Sequence, residues 1–208
     1  MNYNWERPKS KKEMFWERLK AKPKNQNLII TVIISMVIFG VIQIFIFQPT
    51  ENYLRGLSNL QGLSNLGRLD LEFAWTEERI NTIFSLWQSP GIFRQFVITI
   101  IDFFYLICYC LILAGLIFLV ARKLHDEFQK VLFISALIPI LAGIFDIFEN
   151  IFLLIMLGAN EAVLSIFPFI TSISSTIKFV LIYIGVGFFL IGIIGILLYH
   201  YEIIDYRD

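Results

Sequence analysis

The chain is poor in the residues that carry most metal and redox chemistry. Its 208 residues include two histidines and two cysteines. Cys108 and Cys110 are separated by one residue inside an apolar run, so on a helix they point to different faces. They therefore form neither a CxxC redox motif nor a metal-binding pair. The apolar runs also contain no HExxH sequence, no DxxD pair and no recognisable nucleophile motif. Their absence argues against hydrolysis and prenyl transfer.

Charge is scarce as well. Charged residues make up 16% of the chain, the formal net charge is zero, and the only basic cluster precedes an apolar run. Nucleic acid is therefore not an expected partner. Apolar residues make up 57% of the chain, against roughly 45–50% in soluble domains, and the mean hydropathy is +0.72. This composition predicts an all-α integral membrane protein with the lipid bilayer as its first partner.

Four apolar runs are long enough to cross a bilayer as helices. They cover residues 28–47, 96–120, 131–157 and 174–198, so residues 28–208 are expected to form one four-helix membrane bundle. Pro139 should kink the third run. The fourth is expected to begin only at residue 174, because Pro168 and the Ser/Thr residues after it favour an interfacial position.

The long connection between the first two runs, residues 48–95, is predicted to be an external loop. Residues 69–73 alternate apolar and polar side chains, which indicates an extended segment. Thr76 is expected to cap an amphipathic helix over residues 77–87, which the Ser89-Pro90-Gly91 sequence should end.

The N-terminal segment, residues 1–27, holds eight basic and three acidic residues. Its aromatic residues Phe15 and Trp16 favour a helix lying at the cytoplasmic membrane surface. The alternative is a disordered positive tail that only sets orientation.

Lys and Arg number eight before the first run, four in the long connection, three between the second and third runs, and none between the third and fourth. The positive-inside rule therefore places both termini in the cytoplasm of a multi-pass protein of the cell membrane.

A few polar residues interrupt the apolar runs, and these define the candidate site. Asp146, Glu149 and Asn150 are spaced i, i+3, i+4 and share one helix face. Ionisable groups inside a span cost roughly 2.5–3.5 kcal/mol each on insertion scales, so they usually face a partner or a cavity. Chain direction places the polar positions of three runs near the external end. We expect one outward-facing acidic pocket formed by Asp102, Tyr105, Asp146, Glu149, Asn150 and Lys178. For Tyr105 and Tyr109 the favoured interpretation is core packing in which the hydroxyl group also has a partner.

If all its groups were ionised, this pocket would carry an uncompensated charge of −2, from three carboxylates and Lys178. Protonation of a carboxyl group could relieve the charge. An external arginine could fold in, and Arg94 is the nearest to a span. A divalent cation could bind at Asp102, Asp146 and Glu149. Because the site lacks histidine, such a metal would be an oxygen-ligand ion such as magnesium or calcium.

The chain resembles a group of small four-span prokaryotic membrane proteins with a DxxEN element in the third span. The resemblance covers most of residues 69–190. It rests on Leu69-Asp-Leu, Thr76-Glu-Glu, Asp102 with Tyr105, Arg122, Asp146-Ile-Phe-Glu-Asn150, Pro168 and Lys178. It implies the four-span architecture and the choice of pocket residues, and it implies no activity.

Three classes of function fit these features. We favour a protein that binds, senses or transports a cation, a proton or a small amphiphile, and a four-span transporter would need a homo-oligomer or a membrane partner. The second class is a membrane-embedded enzyme acting on a lipidic substrate, with Asp146 or Glu149 as general acid or base and Lys178 holding an anionic group. The third is a structural or assembly subunit in which the polar residues only lock the helices together.

Overall fold

A computed structural model of the chain describes residues 10–60, 66–158 and 166–205, and these residues form helices without any strand. The all-α prediction is confirmed. The part of the N-terminal basic segment before residue 10, the connection after the third span and the last three residues lie outside the described residues. The helices are α1 Lys11–Ala21, α2 Asn25–Ile42, α3 Gln48–Leu60, α4 Arg68–Glu72, α5 Glu77–Ala121, α6 Asp126–Ser135, α7 Ile138–Gly158 and α8 Ile166–Asp205.

Four helical stretches are long and apolar enough to cross a membrane: Asn25–Asn59, Glu77–Ala121, Glu127–Gly158 and Ile166–Tyr199. Large apolar side chains cover their outer faces, and Phe45, for example, is 72% exposed. In water such a surface would be unfavourable, whereas lipid solvates it. The predicted number of long apolar helices is confirmed.

Helix α5 is the centre of the bundle, because α2, α7 and α8 all pack against it, and α7 and α8 also pack against each other. Close approach depends on small residues. A Cβ atom at Gly115 of α5 would lie 2.5 Å from the Val32 side chain of α2. One at Gly192 of α8 would lie 2.5 Å from the Val120 side chain of α5. The bundle is thus built with α5 between α2 on one side and the α7–α8 pair on the other.

The segment 48–95 is not the loop that the sequence predicted. A π-helical turn, Gln43–Phe47, continues α2 directly into α3. Residues 69–73 were expected to be extended, but Arg68–Glu72 is a short helix. Its first turn is closed by the Asp70 carboxylate, which accepts a 2.8 Å hydrogen bond from the Gly67 amide. This local side-chain bond outweighs a five-residue alternation, which is a weak signal for a strand.

The helix that starts after Thr76 is confirmed, since the Thr76 hydroxyl accepts a hydrogen bond from the Arg79 amide at 3.3 Å. Its apolar face is buried, including Ile80, Ile83 and Trp87. The predicted end of this helix is confirmed, because Gln88 adopts a non-helical φ of 53° and ψ of −177°. A second helix then follows within α5, with Pro90 in its first turn. Proline is tolerated at that position because its missing N–H has no helical partner there. The helix that contains the second apolar run therefore begins just after Gln88 rather than at residue 96.

The third and fourth spans also differ from their predicted bounds. The third consists of two helices, α6 and α7, because the chain breaks at Ala136–Leu137 just before Pro139. The fourth begins at Ile166 rather than residue 174. The Ser/Thr residues expected at the interface are buried, and two of them hold α4. The Trp75 amide donates to the Ser172 hydroxyl at 3.0 Å, and the Ser175 hydroxyl donates to the Glu72 carbonyl at 3.4 Å.

Candidate functional site

The charged residues expected in the pocket are buried at the level where α4 meets the bundle. Asp102, Asp146, Glu149 and Lys178 are each at most 5% exposed. The Lys178 ammonium joins α7 to α8, with its Nζ atom 2.6 Å from Glu149 Oε2 and 3.2 Å from Asp146 Oδ1. Residues from separate apolar runs thus form one contact network inside the bundle.

Two members of this network were missed from the sequence, and both come from α4. Arg68 Nη2 lies 2.7 Å from Asp102 Oδ2, and Arg68 Nε lies 2.8 Å from Glu72 Oε1. Glu72 Oε2 is in turn 3.6 Å from Lys178 Nζ. The available signal was an Arg–Glu pair at i, i+4 with two leucines between its members, a spacing that places both charges on one helix face.

Arg94, the arginine expected to fold in, does not do so. Its guanidinium carbon lies 4.0 Å from the centre of the Tyr53 ring. Arg68 takes the expected role, and its own guanidinium also lies 4.5 Å from the centre of the Phe47 ring. The arginine nearest to a span in sequence is thus not the nearest in space, because α4 folds back over the bundle.

Arg68 does not neutralise the site, because α4 also contributes the carboxylate of Glu72, which cancels the added positive charge. Four carboxyl groups and two basic groups still leave a formal charge of −2. Burial alone would raise the pKa of Glu72, but Lys178 and Arg68 hold that pKa below its usual value. Ionised carboxyl groups in one buried network repel one another, so the surplus favours the uptake of a proton or of a cation.

The two tyrosines of α5 have different positions. The Tyr109 hydroxyl donates to Asp146 Oδ2 at 3.0 Å, so Tyr109 belongs to the charged network and does not serve core packing alone. The Tyr105 hydroxyl donates instead to Gln43 Oε1 of the π-helical turn, also at 3.0 Å. Its ring stacks on Phe39 with 4.3 Å between centroids. Tyr105 therefore lines the edge of the site and connects α5 to the first long helix.

Asn150 is buried, but it is separate from the ion pairs. Neither atom of its side-chain amide has a hydrogen-bond partner in the described part of the chain, and the same holds for the Thr171 hydroxyl. A buried amide without partners costs about 1–3 kcal/mol. Of the six predicted pocket residues, the structure joins Asp102, Asp146, Glu149 and Lys178 in one network, and it leaves Tyr105 at the edge and Asn150 outside.

A cavity of about 850 Å³ opens onto this network. It lies between α2 and α8, and α5 forms its floor. Its walls are apolar over most of their length, with Met36 and Phe39 from α2, Ile112 and Leu113 from α5, and Ile182 and Val186 from α8. Its polar end is lined by Arg68, Glu72, Asp102, Asp146 and Lys178. We call this cavity the α2–α8 groove.

The predicted metal site gains no support from the geometry. The described residues contain no group of three or more His, Cys, Asp or Glu side chains placed to hold a metal ion. Asp102 is paired with Arg68, and both Asp146 and Glu149 face the Lys178 ammonium. Basic groups stand where a magnesium or calcium ion would need open carboxylate oxygens.

Comparison with protein-family models, with curated proteins and with solved structures found no match to this chain. The resemblance to four-span prokaryotic membrane proteins therefore stays a prediction. The geometry of the α2–α8 groove and its charged end is the basis on which a function can be inferred.

Proposed function

We propose that this chain is a multi-pass protein of the cell membrane that binds a small cationic amphiphile in the α2–α8 groove. The observation that carries the proposal is the composition of the groove, which is apolar along its walls and acid-rich at its buried end. An alkyl chain would lie against the apolar walls, and a positively charged head would lie beside the carboxylates.

In the proposed orientation both termini are cytoplasmic and the charged end of the groove lies toward the outside. The distribution of Lys and Arg along the sequence supports this placement. Asp102 precedes Arg122 at the end of α5 by 20 residues, which corresponds to about 30 Å of helix, the thickness of a hydrocarbon core. The charged network would thus lie close to the outer membrane interface, where a polar head enters with little desolvation.

The ligand would enter sideways from the lipid. Helix α2 packs mainly on α5, while α8 packs on α5 and α7, so α2 and α8 border the groove as separate walls. A lateral opening between two membrane helices faces acyl chains rather than water. The volume of about 850 Å³ falls in the range of roughly 300–1,000 Å³ typical of small-molecule sites.

The charge of the network favours a cation. Four carboxyl groups face two basic groups, so the fully ionised network carries a surplus charge of −2. Asp146 and Glu72 both line the groove and contact Lys178, and Asp146 is the closer of the two to its ammonium. An ammonium head beside Asp146 would halve this surplus negative charge, whereas an anionic head would increase it.

The test is binding of dodecylamine to the full chain in nanodiscs, with dodecanol and laurate as matched neutral and anionic probes. We expect saturable binding of the amine that is about tenfold tighter than that of the alcohol, and no binding of laurate. Ile182→Trp, which fills the groove, should abolish it. Ile191→Trp, on the exposed surface of the same helix, is the control and should not. Equal binding of all three probes, or binding unaffected by Ile182→Trp, would contradict the proposal.

A membrane-embedded enzyme is the second candidate, because of one feature of the groove. Asp146 lies between the Tyr109 hydroxyl at 3.0 Å and the Lys178 ammonium at 3.2 Å. A carboxylate, a phenol and an ammonium in contact can pass a proton to or from a bound head group. Mass spectrometry of the lipids and the amine recovered after incubation separates the two functions. Unchanged masses support binding, and a mass change that requires Asp146 supports the enzyme.

A further inference from the structure

A second cavity lies at the other end of the bundle, beneath α1. Its volume is about 320 Å³, and except for Thr31 its lining is apolar. The N-terminal helix forms one wall, through Phe15, Trp16 and Leu19. The opposite wall comes from the end of α5 and the α6–α7 break, where the Phe118 and Phe133 rings lie 4.7 Å apart. This cavity shares no residue with the polar network of the α2–α8 groove.

Helix α1 has a closed N-terminal turn, and contacts at its C-terminal end and at Trp16 hold it over the cavity. The Ser10 hydroxyl and the Glu13 carboxylate form a reciprocal capping box at the N-terminus. At the C-terminus, Arg122 Nη2 donates to the Leu19 carbonyl at 3.1 Å, and Arg122 Nη1 donates to Asn25 Oδ1 at 2.5 Å. The Trp16 ring packs on Phe133 with 6.4 Å between centroids. The cavity is thus a built feature of the fold and not a gap under a loose tail.

The edge of the cavity is strongly basic. Residues 10–27 contain six basic and two acidic residues, and Arg122 and Lys123 follow α5 at the same end. The side chains of Arg18, Lys20, Lys22, Lys24 and Lys123 are exposed. The guanidinium of Arg122 lies 5.0 Å from the centre of the Phe118 ring, a cavity-lining residue. Its Nε atom has no hydrogen-bond partner among the described residues.

We propose that this cavity holds one acyl chain of an anionic phospholipid from the leaflet in contact with α1, with the head-group phosphate among the basic side chains around Arg122. An apolar cavity of this size accommodates part of one chain, and a basic rim selects an anionic head. Guanidinium groups suit phosphate because their N–H donors form a planar fork. The inference rests on the proposed membrane placement but not on the amphiphile in the α2–α8 groove.

The test is native mass spectrometry of the full chain with phosphatidylglycerol and phosphatidylcholine of identical acyl chains. We expect one retained phosphatidylglycerol per chain, with retention about tenfold higher than for phosphatidylcholine. Ala114→Phe, which fills the cavity from α5, should lower phosphatidylglycerol retention at least tenfold. Lys20→Gln/Lys22→Gln should reduce the preference for phosphatidylglycerol to threefold or less. These lysines are exposed, so their substitution leaves the helices intact even if cavity filling does not.

Two controls separate this site from the first one. Arg94→Gln removes an exposed basic group at the opposite end of the bundle and should leave lipid retention unchanged. Ile182→Trp should abolish dodecylamine binding while leaving phosphatidylglycerol bound, so failure of one proposal is distinguishable from failure of the other. Equal retention of the two phospholipids, or retention of phosphatidylglycerol that survives Ala114→Phe, would overturn the inference.

Discussion

The two ends of the bundle differ in how their charged side chains are placed and paired. At the α4 end, Lys178 is buried and Arg68 is half-buried, and each contacts more than one carboxylate. At the α1 end, the basic side chains are exposed around an apolar cavity. Buried charges must be paired within the protein, whereas exposed charges can be paired by solvent or lipid head groups.

This difference predicts what a substitution at each end would change, because the charges of the α4 end also hold the fold together and those of the α1 end do not. Removal of a buried ion-pair partner leaves an uncompensated charge, which costs about 3–5 kcal/mol. Removal of an exposed charge usually costs less than about 0.5 kcal/mol. Substitutions at the α4 end should therefore change stability, and those at the α1 end should change lipid binding with the bundle intact.

The largest effect is expected for Lys178→Met. Its ammonium lies within 4 Å of Glu72, Asp146 and Glu149, so all three would lose their shared cation. We expect the free energy of unfolding to fall by about 3–5 kcal/mol, measured by denaturation of the reconstituted protein. Lys130→Met is the matched control, because Lys130 pairs with Glu127 at an exposed position. Equal stability of the two variants would show that the buried network is not structural.

The second-largest loss of stability is expected when the ion pair that attaches α4 to α5 is removed. Arg68→Leu removes the contacts to Asp102 and Glu72 and should lower the free energy of unfolding by about 2–4 kcal/mol, since Asp102 would be left buried without a partner. Arg68→Leu/Asp102→Leu should recover part of that loss, with a coupling of about 0.5–3 kcal/mol in a double-mutant cycle. Strict additivity of the two single substitutions would contradict the ion pair.

A smaller effect on stability, with a large effect on binding, is expected for Asp146→Asn. The amide keeps the shape of the side chain and its contact with Tyr109 but removes the negative charge in the groove. Dodecylamine affinity should fall about tenfold, and the free energy of unfolding should change by less than about 1.5 kcal/mol. Glu149→Gln is the control, since Glu149 does not line the groove. Collapse of the Asp146→Asn variant would favour the structural-subunit function instead.

The sequence predicted the long helices because an apolar run of about 20 residues has few alternatives in any fold. It also predicted the burial of Asp146, Glu149 and Lys178, because a charge inside such a run must find a partner. Arg68 and Glu72 could not be found in the same way. They precede the second run, and tertiary contacts bring them inside: α4 packs on α5 and α8, the Glu72 carbonyl accepts from Ser175, and the Trp75 amide after α4 donates to Ser172. The Thr76 cap was predictable, because its hydrogen bond joins residues only three positions apart in the sequence.

The groove could not be predicted either, because it depends on which helices stay apart. Nothing in the periodicity of α2 or α8 tells that both pack on α5 with a gap between them. Tyr109 was assigned to packing for a related reason. Its spacing from Asp102 is a property of one helix, while its hydrogen bond crosses to Asp146 on another. Local pattern therefore predicted the elements and the polar positions, and the contacts between elements decided their partners.

The smallest effect on bundle stability is expected at the α1 end, and two tryptophans allow a direct comparison. Trp16→Ala should change the free energy of unfolding by less than about 1 kcal/mol, because Trp16 is half-buried and packs only at the edge of the bundle. Trp87→Ala, which empties a fully buried position in the core beside α3 and α4, should cost about 3–5 kcal/mol.

Limited trypsin digestion adds a second measurement. Cleavage at Arg18 and Lys20 should be about tenfold faster in Trp16→Ala, since α1 would lose its contact with Phe133. Unchanged cleavage would mean that Arg122 alone holds α1, and equal loss of stability in both variants would remove the contrast between the two ends.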